Sequence, residues 1–270
     1  MTIDFDELAE GRSVVVVEEE PDLEEPVFIE GLPGIGHVGK LAAEALIEDL
    51  NAVKFAELYS PYFPPHVSVN ESGLIKIMKN EFYYYEGEGD EPDLIFVTGE
   101  AQAQGELGQH EVTVRILKLV KSLGAKRIIT LGGLGTGTVP TEPKVVGVAT
   151  HPHLIDLLKE HNVEIRKGDG GGNIVGASGL LLGFGKLMGL EGICLMGVTP
   201  GHVVDPRAAM AVVEKLTSIL GVEVEADSLK KRAERFEREF VTQVEELMTS
   251  VDEMTAGAEE KTDEDLRYIG

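Results

Sequence analysis

The stretch that decides the fold is PVFIEGLPGIGHVGKLAAEALIEDL, residues 26–50. Its first part, Pro26 to Ile29, is a short apolar run bounded by acids, which is typical of a strand. Its last part, Leu41 to Leu50, is rich in Ala and Leu and also contains Glu44 and Glu48, so it favours a helix. Four glycines lie in the eleven residues between these two parts. A strand, a glycine turn and a helix in this order open a βαβ unit.

Strand and helix patterns alternate on both sides of this stretch. Strands are predicted at Val14 to Val17 and Val53 to Tyr59, and Leu94 to Thr98 is apolar enough to be buried on both faces of a sheet. The same alternation continues toward the C-terminus, with helices predicted at Leu107 to Leu123, Leu154 to His161, Leu180 to Met188 and Pro206 to Leu220, and strands at Arg127 to Leu131, Val145 to Ala149 and Ile193 to Val198. We therefore expect an α/β fold, a mainly parallel sheet with helices on both faces.

A small β insert interrupts the alternation. Val67 to Val69, Leu74 to Met78 and Phe82 to Tyr85 are short strand patterns separated by Asn-Glu-Ser-Gly and Lys-Asn-Glu turns. Their spacing predicts a hairpin or a meander.

The C-terminal part of the chain has a different pattern. From Asp227 to Met254, apolar residues recur every three or four positions, which predicts a long C-terminal amphipathic helix. Its narrow apolar stripe resembles a coiled-coil seam, and packing on its own domain is the alternative. We expect three units: residues 1–225 as the α/β core, 226–254 as the helix and 255–270 as a flexible acidic tail.

Charge and cysteine content exclude several classes of function. The chain has 48 acids and 24 bases, and residues 1–30 alone contain 11 acids and one base. Without a cluster of Lys and Arg, we expect no nucleic acid partner and no membrane surface as a partner. Cys194 is the single cysteine, and the longest uncharged apolar stretch, Ile174 to Gly185, is too short for a membrane span. These features, with acids in the place of a basic leader, favour a cytoplasmic location.

The glycine turn matches two nucleotide-binding patterns. Gly34, Gly36 and Gly39 fit G-x-G-x-x-G, and Gly34 to Lys40 fits G-x-x-x-x-G-K. However, Leu41 stands where a phosphate loop needs Ser or Thr to hold magnesium. Close packing of the helix on the strand explains the glycines equally, so nucleotide binding and packing remain as alternatives.

Other candidate ligand-binding residues follow the predicted strand ends. In a parallel sheet these ends meet at one edge, where Glu100 and His202 would join Gly34, Gly36, Gly39 and Lys40. His151 and His153 have no third ligand in the pattern, so no metal is predicted. The sequence also gives no catalytic set and no cofactor.

Four motifs together resemble the proteasome assembly chaperone type 2 family in its archaeal form. They are Gly31-Leu-Pro-Gly-Ile-Gly-His-Val-Gly-Lys40, Leu131-Gly-Gly-Leu-Gly-Thr136, Gly176-Ala-Ser-Gly-Leu180 and Asp205-Pro-Arg-Ala-Ala209. The resemblance covers residues 10 to 225. It implies a core related to nucleoside-phosphorylase-like folds, self-association and binding to proteasome α subunits, without established catalytic residues.

The resemblance also suggests where partners bind. Family members that engage the proteasome can end in a hydrophobic-Tyr-any tail. Here two residues follow Tyr268 instead of one, and Arg267 precedes it instead of a hydrophobic residue. An acidic tether that leads to apolar residues still fits a recognition element, with Leu266, Tyr268, Ile269 and Gly270 as partner-binding residues. A tail that binds nothing is the alternative. Phe236 and Phe240 are the predicted anchors of a contact made by the amphipathic helix.

The expected function is therefore that of a non-enzymatic proteasome assembly chaperone or proteasome-binding protein acting on α subunits. We expect a homo-oligomer formed through the helices that flank the sheet or through the C-terminal helix. The alternative is a nucleotide-dependent, ligase-like enzyme or a small-ligand-binding protein that uses the glycine-rich sheet edge.

Overall fold

The structure is a computed structural model that describes residues 3–138, 140–166 and 172–238. In this part of the chain the helices are α1 (Phe5–Ala9), α2 (Val38–Asp49), α3 (Gly105–Ser122), α4 (Pro152–Glu160), α5 (Ala177–Leu187) and α6 (Pro206–Leu220). The strands are β1 (Val14–Val17), β2 (Val27–Glu30), β3 (Val53–Tyr59), β4 (Val67–Val69), β5 (Ile75–Ile77), β6 (Asn80–Tyr85), β7 (Leu94–Gly99), β8 (Arg127–Gly135), β9 (Val145–Ala149), β10 (Glu164–Ile165) and β11 (Glu191–Thr199). A short 3-10 helix, Ile35–His37, precedes α2, and a further helix begins at residue 227.

Nine strands form one sheet in the order β1-β3-β6-β7-β2-β8-β11-β9-β10. The central strands β7, β2, β8 and β11 are parallel neighbours, and β9 pairs antiparallel with β11 and parallel with β10. At the other side, β6, β3 and β1 pair antiparallel. The α/β class is confirmed, but the sheet is mixed: parallel pairing is concentrated at its centre rather than extending across most of it.

The predicted βαβ unit is formed with one difference. Strand β3 runs in the same direction as β2, but β6 and β7 lie between them, so the two strands do not pair. The prediction that Phe82 to Tyr85 belongs to the insert is wrong, because β6 is part of the main sheet. Phe82 and Tyr84 pack into the core on one face of the sheet, while Tyr83 and Tyr85 pack against the core on the other. A strand that is apolar on both sides is stabilised by a sheet covered on both faces.

Two hydrophobic cores lie on opposite faces of the sheet. One includes Leu46 of α2 and Val212 of α6, and the other includes Leu117 of α3 and Leu181 of α5. Helices therefore cover both faces, as predicted. Within the described ranges, no helix has the length and apolarity needed to cross a bilayer.

The start of the C-terminal helix packs on its own domain. Leu229 and Ala233 are buried, and Leu229 belongs to the core that contains α2 and α6. Just before the helix, the Ala226 N–H donates to Asp49 Oδ2 at 2.6 Å. Over residues 227–238 the helix therefore follows the alternative of packing on its own domain, and the rest of the predicted helix lies outside the described residues.

Candidate functional site

The glycine turn is a tight packing element between β2 and α2. A Cβ atom at position 39 would overlap the carbonyl group of Leu131 on β8, so α2 lies directly against the backbone of that strand. Gly36 has a φ of +63°, and a Cβ there would also lie 3.0 Å from Thr199 Oγ1. Positive φ and close backbone approach are the two conditions that favour glycine. The geometry therefore favours the packing alternative at Gly36 and Gly39.

Gly34 differs from the other two glycines of the fingerprint. Its backbone is extended, and an added Cβ would meet nothing closer than Gln102 Nε2 at 4.0 Å. Packing therefore does not explain a glycine at this position. Ligand binding at Gly34 stays a prediction.

Lys40 is engaged within the fold. Its ammonium group donates to the carbonyl oxygen of Gly99 at 2.8 Å and lies 3.3 Å from Glu44. The lysine of a phosphate loop instead extends to the phosphates of its ligand. In this arrangement Lys40 provides a hydrogen-bond donor for the last carbonyl group of β7. Ligand binding by this residue stays a prediction.

Glu100 is also tied to protein groups. It pairs with Lys76 at 3.0 Å and accepts a hydrogen bond from Ser68 at 3.3 Å. Burial opposes its ionisation, but the hydrogen bond and charge of Lys76 outweigh this effect and lower the pKa of the carboxyl group. Glu100 thereby attaches the β4–β5 hairpin to the end of β7.

His202 lies in an exposed position after β11. Asp205, three residues later, is buried and caps α6 by accepting from the Ala208 N–H at 3.0 Å. The Asp205 N–H donates to the carbonyl oxygen of Gly36 at 2.9 Å, so the start of α6 is bonded to the glycine turn. The structure thus brings the predicted ligand-binding residues to the same edge of the sheet, around the carboxyl ends of β7, β2, β8 and β11.

A buried carboxyl group that the sequence analysis did not select lies at the centre of this edge. Glu30, the last residue of β2, is fully buried and accepts hydrogen bonds from the Leu32 N–H at 3.0 Å and from the Ser178 hydroxyl at 2.8 Å. Burial raises the pKa of Glu30 to about 7, although these two hydrogen bonds oppose the shift. An acid directly after the buried run Val27 to Ile29 was the sequence signal for such a group.

Gln102 connects three segments at the same edge. Its Nε2 donates to the carbonyl oxygen of Pro33 at 2.9 Å, and its Oε1 accepts from the Ala177 N–H at 3.0 Å and from Gln109 at 3.2 Å. The glycine turn, the loop after β7 and the first turn of α5 are therefore cross-linked by one side chain. Glu30 and Gln102 therefore hold the segments at this edge together through hydrogen bonds.

The rings of the two histidines considered as metal ligands lie 5.8 Å apart, and each ring also has a polar neighbour of its own. His151 Nδ1 lies 2.8 Å from Thr150 Oγ1, and His153 Nε2 lies 3.1 Å from Glu191 Oε1. Pro152 occupies the first turn of α4, as a helix start favours. Among the residues that the structure describes, no group of three His, Cys, Asp or Glu side chains could hold a metal ion.

The predicted partner-binding residues are only partly within the described ranges. Phe236 is partly buried on the C-terminal helix. The others lie outside the described residues: Phe240, Leu266, Tyr268, Ile269 and Gly270.

Comparison with known proteins identifies the family. The model of the PAC2 family matches residues 28–244, which is most of the chain. The chain belongs to the PAC2 family. It is 44% identical over 250 residues to the Methanocaldococcus jannaschii protein MJ1210, with 92% of this chain and 93% of that protein covered.

Two solved structures from Pyrococcus furiosus are similar to this fold. PbaB, described as an archaeal proteasome activator, has a TM-score of 0.82 and 46% identity, covering 87% of this chain and 99% of PbaB. PbaA, described as an archaeal homolog of proteasome-assembly chaperone, has a TM-score of 0.69 and 31% identity, covering 84% of this chain and 94% of PbaA.

Proposed function

We propose that this protein is a non-enzymatic proteasome assembly chaperone or proteasome-binding protein that acts on proteasome α subunits. The observation that carries the proposal is the 46% identity to PbaB across 87% of the chain, a protein described as a proteasome activator. Family membership, through the match at residues 28–244, supports the same function.

The geometry of the sheet edge is consistent with a role without catalysis. Close contacts at Gly36 and Gly39 and the hydrogen bond from Lys40 to the carbonyl oxygen of Gly99 support this role. Glu30 is buried, and its two carboxyl oxygens accept hydrogen bonds from the Leu32 N–H and the Ser178 hydroxyl, so the group is not presented at the surface. These contacts support a non-catalytic binding protein more than the alternative of a nucleotide-dependent enzyme.

The proposal includes a cytoplasmic homo-oligomer with three units. Residues 1–225 would form the core, which the resemblance relates to nucleoside-phosphorylase-like folds. Residues 226–254 would form the amphipathic helix, with Phe236 and Phe240 as contact anchors, and 255–270 the flexible acidic tail. Several copies of the tail on one oligomer would raise the effective concentration of the recognition element.

The test of this function is binding of the full-length chain to proteasome α subunits, and removal of the last five residues tests the role of the tail. Deleting Leu266 to Gly270 is expected to weaken binding to immobilised proteasome α subunits at least tenfold, because a single aromatic anchor such as Tyr268 contributes about 2 kcal/mol at a binding hot spot. The thermal unfolding midpoint should not change, since the folded core is left intact. Binding is measured by surface plasmon resonance on the full chain and the truncated chain.

The matched control replaces a residue of the tether. Thr262→Ala should bind as the unmodified chain does, whereas Tyr268→Ala should reproduce most of the loss caused by the deletion. Equal binding by the truncated and full-length chains would reject the tail and leave the folded core as the contact. Failure of the full-length chain to bind α subunits would reject the proposed function itself.

A further inference from the structure

The β4–β5 hairpin exposes an aliphatic face. Val67 is paired with Ile77 and Val69 with Ile75, so these four side chains lie on the same face of the two strands. They are 45%, 56%, 63% and 73% exposed for Val67, Ile77, Val69 and Ile75, and Leu74 beside them is 66% exposed. Scattered apolar side chains are ordinary on a protein surface, but a contiguous set marks an interaction site.

The opposite face of the hairpin is polar and is attached to the sheet. Ser68 and Lys76 lie opposite each other on this face and both contact Glu100. Lys76 also lies 3.9 Å from Glu81 of β6. The hairpin is therefore held by its polar face, and its aliphatic face is directed away from the sheet.

An apolar groove continues from this face. A cavity of about 660 Å³ is lined by α1, by the loop after β3 and by the hairpin itself, with Val67 and Ile77 belonging both to the groove and to the aliphatic face. Phe5, Leu8 and Phe63 form other parts of its wall, and Phe5 is 69% exposed. A projecting aliphatic face and a concave apolar groove thus lie side by side on one surface.

The absence of charged residues in the groove lining and the aliphatic face favours a second copy of this chain as the occupant. The chain has a net charge of −24, so two copies repel each other over most of their surface. None of the 13 residues that line the groove is Asp, Glu, Lys or Arg, and the five exposed residues of the aliphatic face are uncharged. The nearby charges on the polar side are paired, Lys54 with Glu57 at 2.5 Å and Lys79 with Glu81 at 2.9 Å. The groove lining and the aliphatic face therefore add no like-charge repulsion of their own to the approach of a second acidic copy.

The size of the surface also suits a second copy. The groove and the aliphatic face together comprise 16 residues, of which two are shared. A standard interface uses about 20–30 residues and about 800 Å² on each partner, so this surface supplies the apolar centre and leaves the surrounding residues for a polar rim. A projection and a groove on the same surface are what an isologous, two-fold contact requires.

We propose that the β4–β5 hairpin and the adjoining groove form a two-fold interface between copies of this chain, with the hairpin of each copy lying over the groove of the other. This inference rests on the self-association included in the proposed function and assigns it to a surface. It is independent of the proteasome contact and of the predicted anchors Phe236 and Phe240. A second contact through the C-terminal helix would extend such a dimer to a larger oligomer.

The first test introduces a charge on the hairpin of the full chain. Ile75→Glu places a carboxylate in the apolar centre of the interface, so the molar mass measured by light scattering is expected to fall at least twofold. Leu187→Glu is the matched control, because Leu187 on α5 is 83% exposed and lies away from the groove. The control should keep the mass and the melting temperature of the unmodified chain, and both variants should keep its circular dichroism spectrum, which shows that they fold.

The second test detects the contact without disrupting it. Cys194 is fully buried, so an introduced surface cysteine is the accessible thiol for cross-linking within the described part of the chain. Tagged Ile75→Cys protein is mixed with untagged Phe5→Cys protein, allowed to exchange copies and treated with a short bis-maleimide. A cross-link between the two chains is expected, and tagged Leu187→Cys with Phe5→Cys should give none.

The outcomes separate the inference from the proposed function. A monomeric unmodified chain at all concentrations would overturn self-association and with it this interface. An oligomer whose mass is unchanged by Ile75→Glu, with no cross-link, would overturn the interface alone. An unchanged mass combined with lost binding to α subunits would assign the hairpin to that partner and would equally overturn the two-fold contact.

Discussion

Gly39→Ala is expected to lower the free energy of unfolding by about 3 kcal/mol, the upper part of the range for overpacking a well-packed core. The new methyl group would overlap the carbonyl carbon and oxygen of Leu131, which are backbone atoms of the central strand β8. A flexible side chain could move away, but here either α2 or the sheet would have to shift. This cost exceeds the gain of about 1 kcal/mol that alanine gives over glycine within a helix. Urea denaturation at pH 7 measures the difference.

Gly183→Ala is the matched control for this substitution. Gly183 also lies in a helix, α5, but it is exposed and an added Cβ would have no neighbour within 4 Å. The control should leave stability unchanged or raise it by up to about 1 kcal/mol. If Gly39→Ala were as stable as the control, α2 would not be fixed against β8. Packing would then fail as the reason for this glycine, and the nucleotide-binding alternative would be favoured.

The glycine turn also shows why part of the fold is readable from sequence. A strand, a close-packed turn and a helix depend on neighbours along the chain, so residues 26–50 predict β2 and α2 correctly. The buried strand Leu94 to Thr98 is similarly predictable, since its continuous apolar run has a single environment that suits it.

Pairing partners, in contrast, depend on residues far apart in the chain. The apolar pattern of β3 predicts a strand, but it does not specify that β6 returns to pair beside it. Because turn residues precede β6, the sequence pattern groups it with the insert. Phe82 and Tyr83, however, place ring side chains on opposite faces of the strand, which fits the main sheet. The register of such pairs is determined by burial in the complete fold.

The candidate site has the same division between local and distant causes. Lys40 is part of a recognisable motif, but its partner is the carbonyl oxygen of Gly99, 59 positions away. In the sequence, Glu30 is one of 11 acids within residues 1–30, and composition alone does not distinguish it from the others. Its burial depends on Ser178 and α5, 148 residues further along the chain. The exposed aliphatic face of the hairpin was also missed, because the pattern predicts the strands but not which face stays uncovered.

Glu30→Gln is expected to remove a pH dependence of stability that the unmodified chain shows between about pH 4.5 and pH 7. In the folded protein burial raises the pKa of Glu30 to about 7, whereas its ordinary value is 4.5. Between these values the folded chain keeps a proton that the unfolded chain releases, so the free energy of unfolding falls as the pH rises. The fall is about 1.4 kcal/mol per pKa unit, or about 3 kcal/mol over the whole window.

The comparison is made between the two proteins at each pH. Glutamine cannot ionise, but its oxygen can still accept from the Leu32 N–H and its shape is retained. Other carboxylates titrate equally in both chains, so they cancel in the difference. Urea denaturation from pH 4.5 to pH 8 measures the free energy of unfolding of both chains. The value for the variant should rise relative to that of the unmodified chain by about 2–3 kcal/mol, and most of this rise should be complete near pH 7.

Ser178→Ala tests whether the buried carboxyl group itself causes this effect. The Ser178 hydroxyl donates to Glu30 at 2.8 Å and favours the ionised form, so its loss should raise the pKa of Glu30 further. The fall in stability should then extend to higher pH in Ser178→Ala, while the double variant with Glu30→Gln should show no such dependence. A difference between the unmodified chain and Glu30→Gln that stays constant from pH 4.5 to pH 8 would show that Glu30 titrates alike in the folded and unfolded chains. Burial at the end of β2 would then have no measurable cost for this carboxyl group.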